Sequence, residues 1–365
     1  MLCLSATQLG LKTVTVERTP DCPAATVSGQ HIVGDWNQPA VLAQVASQCD
    51  VITLENEFVH AEALASLEAS NHSVLPSSRC LEAIQDKLRQ KETLRAKGLP
   101  TPPFRSVDTV EELRAAAEEF GFPFVLKRRR NGYDGKGNMT IASAGEIDTA
   151  WQHLDGPHHP LFAEAFCHFK AELAIMVCRR PRGDTIVYPV VETVQKNHIC
   201  HLVTAPARIE PTVKEAAIRV ATAAVTGFDG IGCLGVELFL TSENEIVVNE
   251  LAPRVHNSGH YTMEACTTSQ FENHLRAVLD LPLGSPQLVR PCAVMINLLG
   301  DAVGPAYPQG IAQAMEVDAA HIHLYAKDQS QVGRKMGHLT VLGDEPEATL
   351  AQARRAANGI TFQTA

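Results

Sequence analysis

The sequence has no excess of basic residues, and this limits the partners that the protein can bind. Its 365 residues include 31 lysines and arginines against 41 aspartates and glutamates, a net charge of −10 at pH 7. A chain of this charge has no general electrostatic attraction for DNA or RNA. We therefore expect no nucleic-acid partner, despite a short basic run at residues 127–130.

Membrane-length apolar runs, a basic signal-peptide start and paired cysteine motifs are also missing. No apolar stretch is long enough to cross a bilayer, and residues 1–5 lack the basic charge that opens a signal peptide. The ten cysteines are scattered, the closest being Cys167 and Cys178, with no C-x-x-C spacing for zinc or a redox pair. We expect reduced thiols, no membrane partner and a cytoplasmic location.

Short apolar strands alternate with helical stretches over residues 1–85, which predicts a doubly wound parallel sheet of the α/β class. The acidic segment 54–57 follows a strand and so lies at the edge where such sheets bind ligands. An amphipathic helix over 78–97 should lead into a second module, in which Thr109 opens a helix with a capping box and Gly121 ends it. We divide the chain into segments 1–85, 86–172, 173–285 and a β-rich 286–365.

Two neighbouring strands each carry an acidic residue. Glu237 lies within an apolar strand, and a second strand runs into Asn249 and Glu250 after a turn at 241–244. Antiparallel pairing would bring the two carboxylates together, and buried carboxylates are costly unless they are paired or bind a metal. With Asn249 they predict a magnesium site that holds nucleotide phosphates. The alternative is a pair of salt-bridged structural glutamates.

A glycine-rich loop lies upstream of this hairpin. Gly132, Gly135 and Gly137 allow positive φ and close backbone approach, while Lys127 precedes the loop and Lys136 lies within it. Backbone N–H groups with two lysines suit the enclosure of a polyphosphate. A plain hairpin turn, or a solvated basic face, is the alternative. The glutamate hairpin downstream favours the phosphate role.

Four sequence blocks resemble the ATP-grasp superfamily and, more narrowly, the family of 5-(carboxyamino)imidazole ribonucleotide synthases. They lie at 127–137, at 249–260, at 295–300, and at 325–327 together with 333–338. The string Pro253-Arg-Val-His-Asn-Ser-Gly-His260 is the most specific, because other ATP-grasp ligases keep the preceding Asn-Glu but lack this string. The resemblance implies an ATP-grasp fold behind an N-terminal pre-ATP-grasp domain, with 86–172 as the small lid module and 173–285 as the large sheet.

The resemblance also implies an activity. ATP and Mg²⁺ would be the cofactors, and 5-aminoimidazole ribonucleotide and bicarbonate the substrates, of an ADP-forming ligase that works through carboxyphosphate in purine biosynthesis. A homodimer is expected, with the product passed to a carboxyaminoimidazole ribonucleotide mutase. The alternatives are another ATP-grasp ligase, such as a formate-dependent glycinamide ribonucleotide transformylase, and a nucleotide-binding regulator without turnover.

The family pattern assigns site residues, some with an open alternative. Glu57 could replace Glu55, Lys87 could be an exposed helix lysine, and either His256 or His260 could be structural. Glu172 and Arg254 could each serve only in a salt bridge. The expected metal ligands are Glu237 and Glu250. The expected nucleotide-binding residues are Lys87, Lys127, Gly132, Tyr133, Asp134, Gly135, Lys136, Gly137, the adenine-reading Glu164, Ala165, Phe166 and Cys167, the ribose-binding Glu172, and Asn249 with Glu250. The expected substrate-binding residues are Glu55, Tyr133, Arg254, Lys327 and Arg334, and the expected catalytic residues are Arg254, Lys136, Asp134 and His256.

One part of the family pattern is missing from this sequence. The family's first strand and its Gly-Gly-Gly-Gln-Leu-Gly loop would precede the helix that starts here at Met1. We therefore expect an N-terminal domain without that strand and loop, and we assign no site residue before Glu55. Because unpaired strand edges favour aggregation, we expect a protein that begins at Met1 to be poorly soluble or poorly active.

Overall fold

The computed structural model describes residues 1–132 and 137–363. The N-terminal region alternates helices and strands as predicted, but its strands form two separate two-stranded parallel sheets, β1 with β2 and β3 with β4. No strand among the described residues joins the two sheets, which agrees with the expected domain that lacks its first strand. These elements are α1 (Leu2–Gln8), β1 (Val14–Glu17), β2 (Gln30–Val33), α2 (Pro39–Ala46), β3 (Val51–Ile52), α3 (Ala61–Ala69) and β4 (Ser73–Val74).

The helix predicted over 78–97 is in fact two helices, α4 (Ser78–Gln85) and α5 (Lys87–Ala96). Asp86 separates them with an extended backbone, φ −88° and ψ 102°. Its carboxylate accepts the backbone N–H groups of Leu88 and Arg89 at 3.1 and 3.3 Å, which is the role of an N-cap. The same carboxylate accepts hydrogen bonds from Nε and Nη2 of Arg129 at 3.0 and 2.7 Å. The break therefore ties α5 to the base of the glycine-rich loop.

The next module is a four-stranded antiparallel sheet in the order β5–β8–β6–β7, with two helices packed on an apolar core. The predicted capping box is confirmed, since Thr109 Oγ1 accepts the N–H of Glu112 at 3.2 Å and Glu112 accepts the N–H of Thr109 at 3.2 Å. Gly121, at φ 71°, ends that helix as predicted. The elements are β5 (Phe104–Val107), α6 (Val110–Phe120), β6 (Phe124–Arg128), β7 (Asn138–Ile141), α7 (Ile147–His153) and β8 (Leu161–Ala165).

A nine-stranded sheet forms the largest part of the molecule, in the order β14–β13–β9–β11–β12–β15–β20–β18 with β10 added beside β9. The last three strands in this order are β15 (Cys292–Leu299), β20 (Lys335–Gly343) and β18 (Ala320–Leu324). One face packs on α8, and the other packs on α10 and α1. Its first part consists of β9 (Phe169–Arg179), β10 (Thr185–Val187), β11 (Val191–Lys196), β12 (Ile199–Ala205), α8 (Pro211–Gly227), β13 (Gly232–Thr241), β14 (Ile246–Ala252), α9 (Thr262–Ala265) and α10 (Gln270–Val278).

The C-terminal segment continues this sheet, because β15 pairs with β12 and β20 pairs with both β15 and β18. Strands from both sides of residue 286 thus share one hydrogen-bonded layer. The remaining elements are β15 (Cys292–Leu299), β16 (Gly304–Pro305), β17 (Tyr307–Gln309), α11 (Ile311–Ala314), β18 (Ala320–Leu324), β19 (Gln329–Ser330), β20 (Lys335–Gly343), α12 (Pro346–Ala357) and β21 (Thr361–Gln363). Over residues 1–132 and 137–363, no helix combines the length and apolar character needed to cross a bilayer.

Replacing Asp86 with alanine should destabilise the protein more than replacing Thr109 with alanine. Thr109→Ala removes a helix cap and should cost about 1 kcal/mol. Asp86→Ala removes a cap and also leaves Arg129 without its carboxylate, so its cost should approach about 3 kcal/mol. Urea unfolding of both variants measures the two losses, and equal losses would contradict the joint role of Asp86.

The pH dependence of this difference has a defined sign. Burial raises the pKa of Asp86, but the hydrogen bonds from Arg129 and from the backbone of Arg89 outweigh burial and lower that pKa overall. A carboxyl group with a lowered folded pKa stabilises the fold above its unfolded pKa, which is about 3.9. The difference between Asp86→Ala and wild type should therefore persist at neutral pH and disappear as the pH falls through the lowered pKa.

Candidate active site

One cleft collects the residues that the sequence analysis singled out. It has a volume of about 1250 Å³ and is lined by residues of all the regions described above. Tyr133, Asp134, Gly135 and Lys136 lie outside the described residues. The predicted residues that line the cleft are Glu55, Lys87, Lys127, Gly132, Gly137, Glu164, Ala165, Phe166, Cys167, Glu172, Glu237, Asn249, Glu250, Arg254, His256, His260, Lys327 and Arg334.

The two glutamates of the hairpin face each other across β13 and β14. Glu237 and Glu250 are direct partners in the antiparallel register. Asn249 Nδ2 donates to Glu237 Oε2 at 3.4 Å, and Lys87 Nζ donates to Glu250 Oε2 at 2.5 Å. Lys87 is only 26% exposed, so the alternative of a solvated helix lysine was wrong. The predicted pair of carboxylates is therefore present, and Lys87 already neutralises one of them.

The surroundings of the two carboxyl groups shift their pKa values in opposite directions. Burial and then the charge of Glu250 raise the pKa of Glu237 to about 8. Burial also acts to raise the pKa of Glu250, but the adjacent Lys87 ammonium outweighs it and lowers that pKa to about 2. A divalent cation between the two would relieve their repulsion, and carboxylate and amide oxygens are suitable ligands for Mg²⁺.

Protein atoms alone do not complete such a metal site. Among the described residues, no group of three or more His, Cys, Asp or Glu side chains could hold a metal ion. Mg²⁺ usually keeps several waters and is bound by one or two carboxylates together with substrate phosphates. Glu237 and Glu250, with Asn249 beside them, therefore fit a magnesium ion that also binds a nucleotide.

A buried carboxylate holds two lysines at the wall of the cleft. Glu164 Oε1 lies 2.5 Å from Lys91 Nζ, and Glu164 Oε2 accepts a hydrogen bond from Lys127 Nζ. Burial lowers the pKa of Lys91 to about 8, although the charge of Glu164 opposes this effect. Lys91 was not among the site residues predicted from the sequence. Its spacing was the available signal, because a residue four positions after Lys87 lies on the same face of α5.

The segment 164–167, which was expected to bind adenine, lies partly in β8 and partly in the residues that follow this strand. Glu164 pairs with Phe104 of β5 and with Val125 of β6, so its backbone belongs to the sheet and its side chain holds the lysines. Phe166 and Cys167 come after the end of β8 and line the cleft, with the Phe166 side chain 37% exposed. Contacts to a base are therefore available from the residues after the strand.

Two features form the side of the cleft that is expected to hold ribose and phosphates. One is the carboxyl group of Glu172, and the other is the point where the two ends of the glycine-rich loop meet. Burial raises the pKa of Glu172, which lies on β9 opposite Phe239. At the loop base, Gly137 has φ 92°, and a Cβ there would lie 3.0 Å from the Cα of Gly132. Glycine at both positions thus permits the close approach of the two loop ends.

Arg254 forms an ion pair with Glu57 at the rim of the cleft. Arg254 Nη2 donates to Glu57 Oε1 at 3.0 Å, and its Nε donates to Oε2. The salt bridge that the sequence analysis left open for Arg254 is thus present, with Glu57 as its partner. Glu55, favoured over Glu57 from the sequence, also lines the cleft and is 42% exposed.

The two histidines of the specific motif are both neutral at physiological pH. Burial, and then the charge of Arg254, lower the pKa of His256 to about 3. Its Nε2 lies 3.6 Å from Glu237 Oε1, and its Nδ1 lies 2.9 Å from Ser258 Oγ. Burial and nearby His338 hold the pKa of His260 well below its usual value, and Gln270 Nε2 contacts its Nδ1 at 2.9 Å. Of the two, His256 lies beside the expected metal ligands.

The two C-terminal cations are held against the opposite wall by backbone carbonyl groups. Lys327 Nζ donates to the carbonyl oxygen of Lys335 at 2.8 Å. Arg334 Nη1 donates to the carbonyl oxygen of Gln329 at 2.9 Å. Both residues line the same cleft as the glutamate hairpin. The fold therefore brings together the cations and carboxylates that the sequence separates by about 80 residues.

Sequence profiles of three domains match the chain in order. Residues 1–85 match the ribonucleotide synthetase preATP-grasp domain, residues 92–271 the ATP-grasp domain, and residues 293–352 the phosphoribosylaminoimidazole carboxylase C-terminal domain. The predicted fold class, an α/β ATP-grasp fold behind a pre-ATP-grasp domain, is thereby confirmed.

Two related proteins match nearly the whole chain. The N5-carboxyaminoimidazole ribonucleotide synthase of Synechococcus elongatus is 40% identical over 342 residues, which cover 93% of this chain and 86% of that protein. The phosphoribosylaminoimidazole carboxylase of Schizosaccharomyces pombe is 40% identical over 355 residues, which cover 95% of this chain. The match spans only 63% of the length of the S. pombe protein and 62% of that of its Vigna aconitifolia counterpart.

Solved structures agree with these matches. The carboxyaminoimidazole ribonucleotide synthase of Aspergillus clavatus, in complex with ATP, superposes with a TM-score of 0.91 at 38% identity, covering 98% of this chain and 94% of that chain. A second A. clavatus structure, with ADP and 5-aminoimidazole ribonucleotide, has a TM-score of 0.88 at 36% identity and the same coverage of both chains. On this sequence identity, coverage and fold, the chain belongs to the N5-carboxyaminoimidazole ribonucleotide synthase family of ATP-grasp proteins.

Proposed function

We propose that the protein carboxylates 5-aminoimidazole ribonucleotide with ATP and bicarbonate, releasing ADP and phosphate. The observation that carries this proposal is the single cleft. It places the Glu237–Glu250 pair, the Lys127–Glu164 wall and the Lys327–Arg334 wall around one volume. Relatives with this fold are named for this synthesis, and one was solved with ADP and the ribonucleotide.

ATP would occupy the side of the cleft formed by the small module. Lys127 supplies fixed positive charge for the phosphates, and the close approach of Gly132 and Gly137 brings backbone groups near them. Phe166 offers an exposed ring to the base, and Glu172 can accept hydrogen bonds from two ribose hydroxyl groups. Glu237 and Glu250 would hold Mg²⁺ beside Asn249, and the ion when bound neutralises charge on the transferred phosphoryl group.

The reaction has three steps, and atoms and charge balance in each of them. A bicarbonate oxygen attacks the γ-phosphorus of ATP, giving carboxyphosphate and ADP. Carboxyphosphate then breaks into CO₂ and phosphate. The exocyclic amine of the ribonucleotide attacks CO₂, forms the C–N bond of the carbamate and releases one proton.

The residues of this chain have distinct tasks in these steps. Arg254 would hold the phosphoryl group of carboxyphosphate through the N–H groups that Glu57 and the Val255 carbonyl leave available, since a guanidinium has five N–H donors. Neutral His256 has a ring nitrogen able to orient bicarbonate through a hydrogen bond, whereas its lowered pKa disfavours it as the acceptor of the amine proton. Tyr133, Asp134, Gly135 and Lys136 are proposed to close as a lid, because carboxyphosphate must be kept from water.

Several finer points stay predictions. We retain the homodimer, the cytoplasmic location, the transfer of product to a mutase, and the division at residues 85, 172 and 285 as parts of the proposal. A coupled assay of ADP release tests the central one. With bicarbonate present, 5-aminoimidazole ribonucleotide should stimulate ADP release. Stimulation by formate with glycinamide ribonucleotide instead would overturn the proposed function.

Glu250→Gln should lower turnover by at least a hundredfold while leaving the fold intact. The change keeps the size of the side chain but removes the charge that Lys87 and the metal share, which is worth several kcal/mol of charge stabilisation. Glu245→Gln is the matched control, because Glu245 is exposed on the same hairpin and does not line the cleft. Turnover of Glu250→Gln near the wild-type value at saturating Mg²⁺ would contradict the metal assignment.

Arg334→Ala should raise KM for the ribonucleotide much more than KM for ATP. A phosphate dianion held by a guanidinium gains charge-assisted hydrogen bonds worth roughly 1.5–3 kcal/mol, so a rise of at least tenfold is expected. Arg290→Ala is the control, since Arg290 lies on the same C-terminal segment but pairs with Asp344 at the surface. Equal changes in both KM values would indicate a structural role for Arg334.

A further inference from the structure

The motif at 333–338 ends in a buried histidine that the proposed reaction does not use. His338 is 0% exposed and lies on β20, where it pairs with Asn297 of β15 and with His323 of β18. Its ring stacks on that of His323 with centroids 4.6 Å apart. A fully buried imidazole in the middle of a sheet is costly unless its nitrogens find partners. The partners of this ring therefore indicate what it does.

One ring nitrogen of His338 contacts the hydroxyl of Tyr325, a residue of the cleft wall. The distance from Tyr325 Oη to His338 Nδ1 is 2.8 Å. Burial, and then the charge of His323, lower the pKa of His338 to about 3, while burial raises the pKa of Tyr325. Both groups are therefore neutral at physiological pH, and a single proton lies between the two atoms.

The second nitrogen decides which atom carries that proton. His338 Nε2 is buried and has no hydrogen-bond partner among residues 1–132 and 137–363. Among backbone groups, a buried N–H without a partner is rarer than a buried acceptor without one, and we extend this preference to the ring nitrogen. The favoured tautomer therefore has its proton on Nδ1 and leaves Nε2 as a lone pair. In that state His338 donates to Tyr325 Oη, and the hydroxyl proton of Tyr325 is available to another acceptor.

The cleft offers a place for that acceptor, beside the two C-terminal cations. Tyr325 lines the cleft together with Lys327 and Arg334. Lys327 Nζ lies 5.5 Å from the centroid of the Tyr325 ring. A hydroxyl donor next to two cations suits an anion with several oxygens, since O–H···O⁻ bonds are short and strong.

We propose that Tyr325 donates its hydroxyl proton to the 5′-phosphate of the ribonucleotide and that His338 is the positioning residue that aims this hydroxyl. The inference rests on the proposed function for the identity of the ligand. The Tyr325 hydroxyl adds a neutral hydrogen-bond donor of fixed direction to a phosphate site that otherwise consists of the cations Lys327 and Arg334. Lys327 and Arg334 attract any phosphate, whereas a hydroxyl fixed by a buried ring selects one that is seated at a defined position.

The first test compares binding of the ribonucleotide with binding of the riboside that lacks the phosphate. Tyr325→Phe should weaken ribonucleotide binding about tenfold, because one charge-assisted hydrogen bond is lost. It should leave riboside binding and KM for ATP unchanged. Tyr307→Phe is the control, as Tyr307 is 55% exposed and lies outside the cleft lining. Titration calorimetry of both ligands gives the affinities.

The second test asks whether His338 acts through Tyr325. His338→Leu removes the Nδ1 contact and should weaken ribonucleotide binding as much as Tyr325→Phe does. Combining the two changes should add nothing further, since both remove the same interaction. His338→Asn places an amide near the position of Nδ1 and should restore part of the affinity. A melting temperature for each variant separates this effect from loss of the fold. If His338→Leu does not fold, the test passes to His338→Asn, whose loss of affinity should likewise not add to that of Tyr325→Phe.

The outcomes distinguish this inference from the proposed function. If the wild-type protein neither binds the ribonucleotide nor releases ADP in response to it, both are overturned. If the wild type does so and Tyr325→Phe binds the ribonucleotide equally well, only the role of Tyr325 is overturned. Equal weakening of ribonucleotide and riboside binding would show that the hydroxyl does not contact the phosphate. Additive losses in the double variant would overturn the positioning role of His338.

Discussion

The pairing of Glu237 with Glu250 across two strands is the constraint on which the rest of the cleft depends. Two neighbouring carboxylates in a partly buried place do not both stay charged without nearby positive charge. Lys87 supplies part of it, and this explains why α5 begins where it does. Asp86 breaks the preceding helix and caps α5, so that the first residue of α5 reaches the hairpin.

The cations around that pair are held in place by contacts with carboxylates and carbonyl groups of the protein. Glu164 holds both Lys91 and Lys127, which leaves a net positive wall opposite the glutamates. Arg254 is held by Glu57 of the N-terminal region. Each cation is thus fixed by a carboxylate or a backbone carbonyl before any ligand arrives. Such pre-organisation reduces the conformational entropy that binding would otherwise cost.

The C-terminal strands complete the cleft because they extend the same sheet. The pairing of β15 with β12 carries the hydrogen-bonded layer from the glutamate hairpin to the Lys327–Arg334 wall. Asn257 of the specific motif and Asn297 of β15 donate side-chain hydrogen bonds to each other at 2.9 and 2.7 Å. This contact joins two of the sequence blocks that identified the family. The blocks far apart in the chain are therefore neighbours in space.

Much of the fold and the site could be read from local sequence. The short turn at 241–244 predicted that the strands of Glu237 and Glu250 pair, although the register shift between Glu237 and Leu238, which makes the two glutamates direct partners, is not encoded by the turn. The Thr109 capping box and Gly121 set the ends of α6 through contacts within a few residues. The glycines at 132 and 137 also predicted a loop that permits close backbone approach. These features depend on neighbours in the chain, so the sequence by itself determined them.

Other features depend on residues far apart in the chain, and only the tertiary structure decided them. The helix pattern over 78–97 concealed the break at Asp86, because the Arg129 that binds it lies 43 positions later. Lys91 looked like any helix lysine until Glu164 was placed against it, and Glu57 became the partner of Arg254 only through a contact 197 residues apart. The pKa of each group depends on its burial and its charged neighbours, which no local pattern contains. The sequence therefore showed which charged residues the site contains, whereas the fold decided which of them pair and which carry a proton.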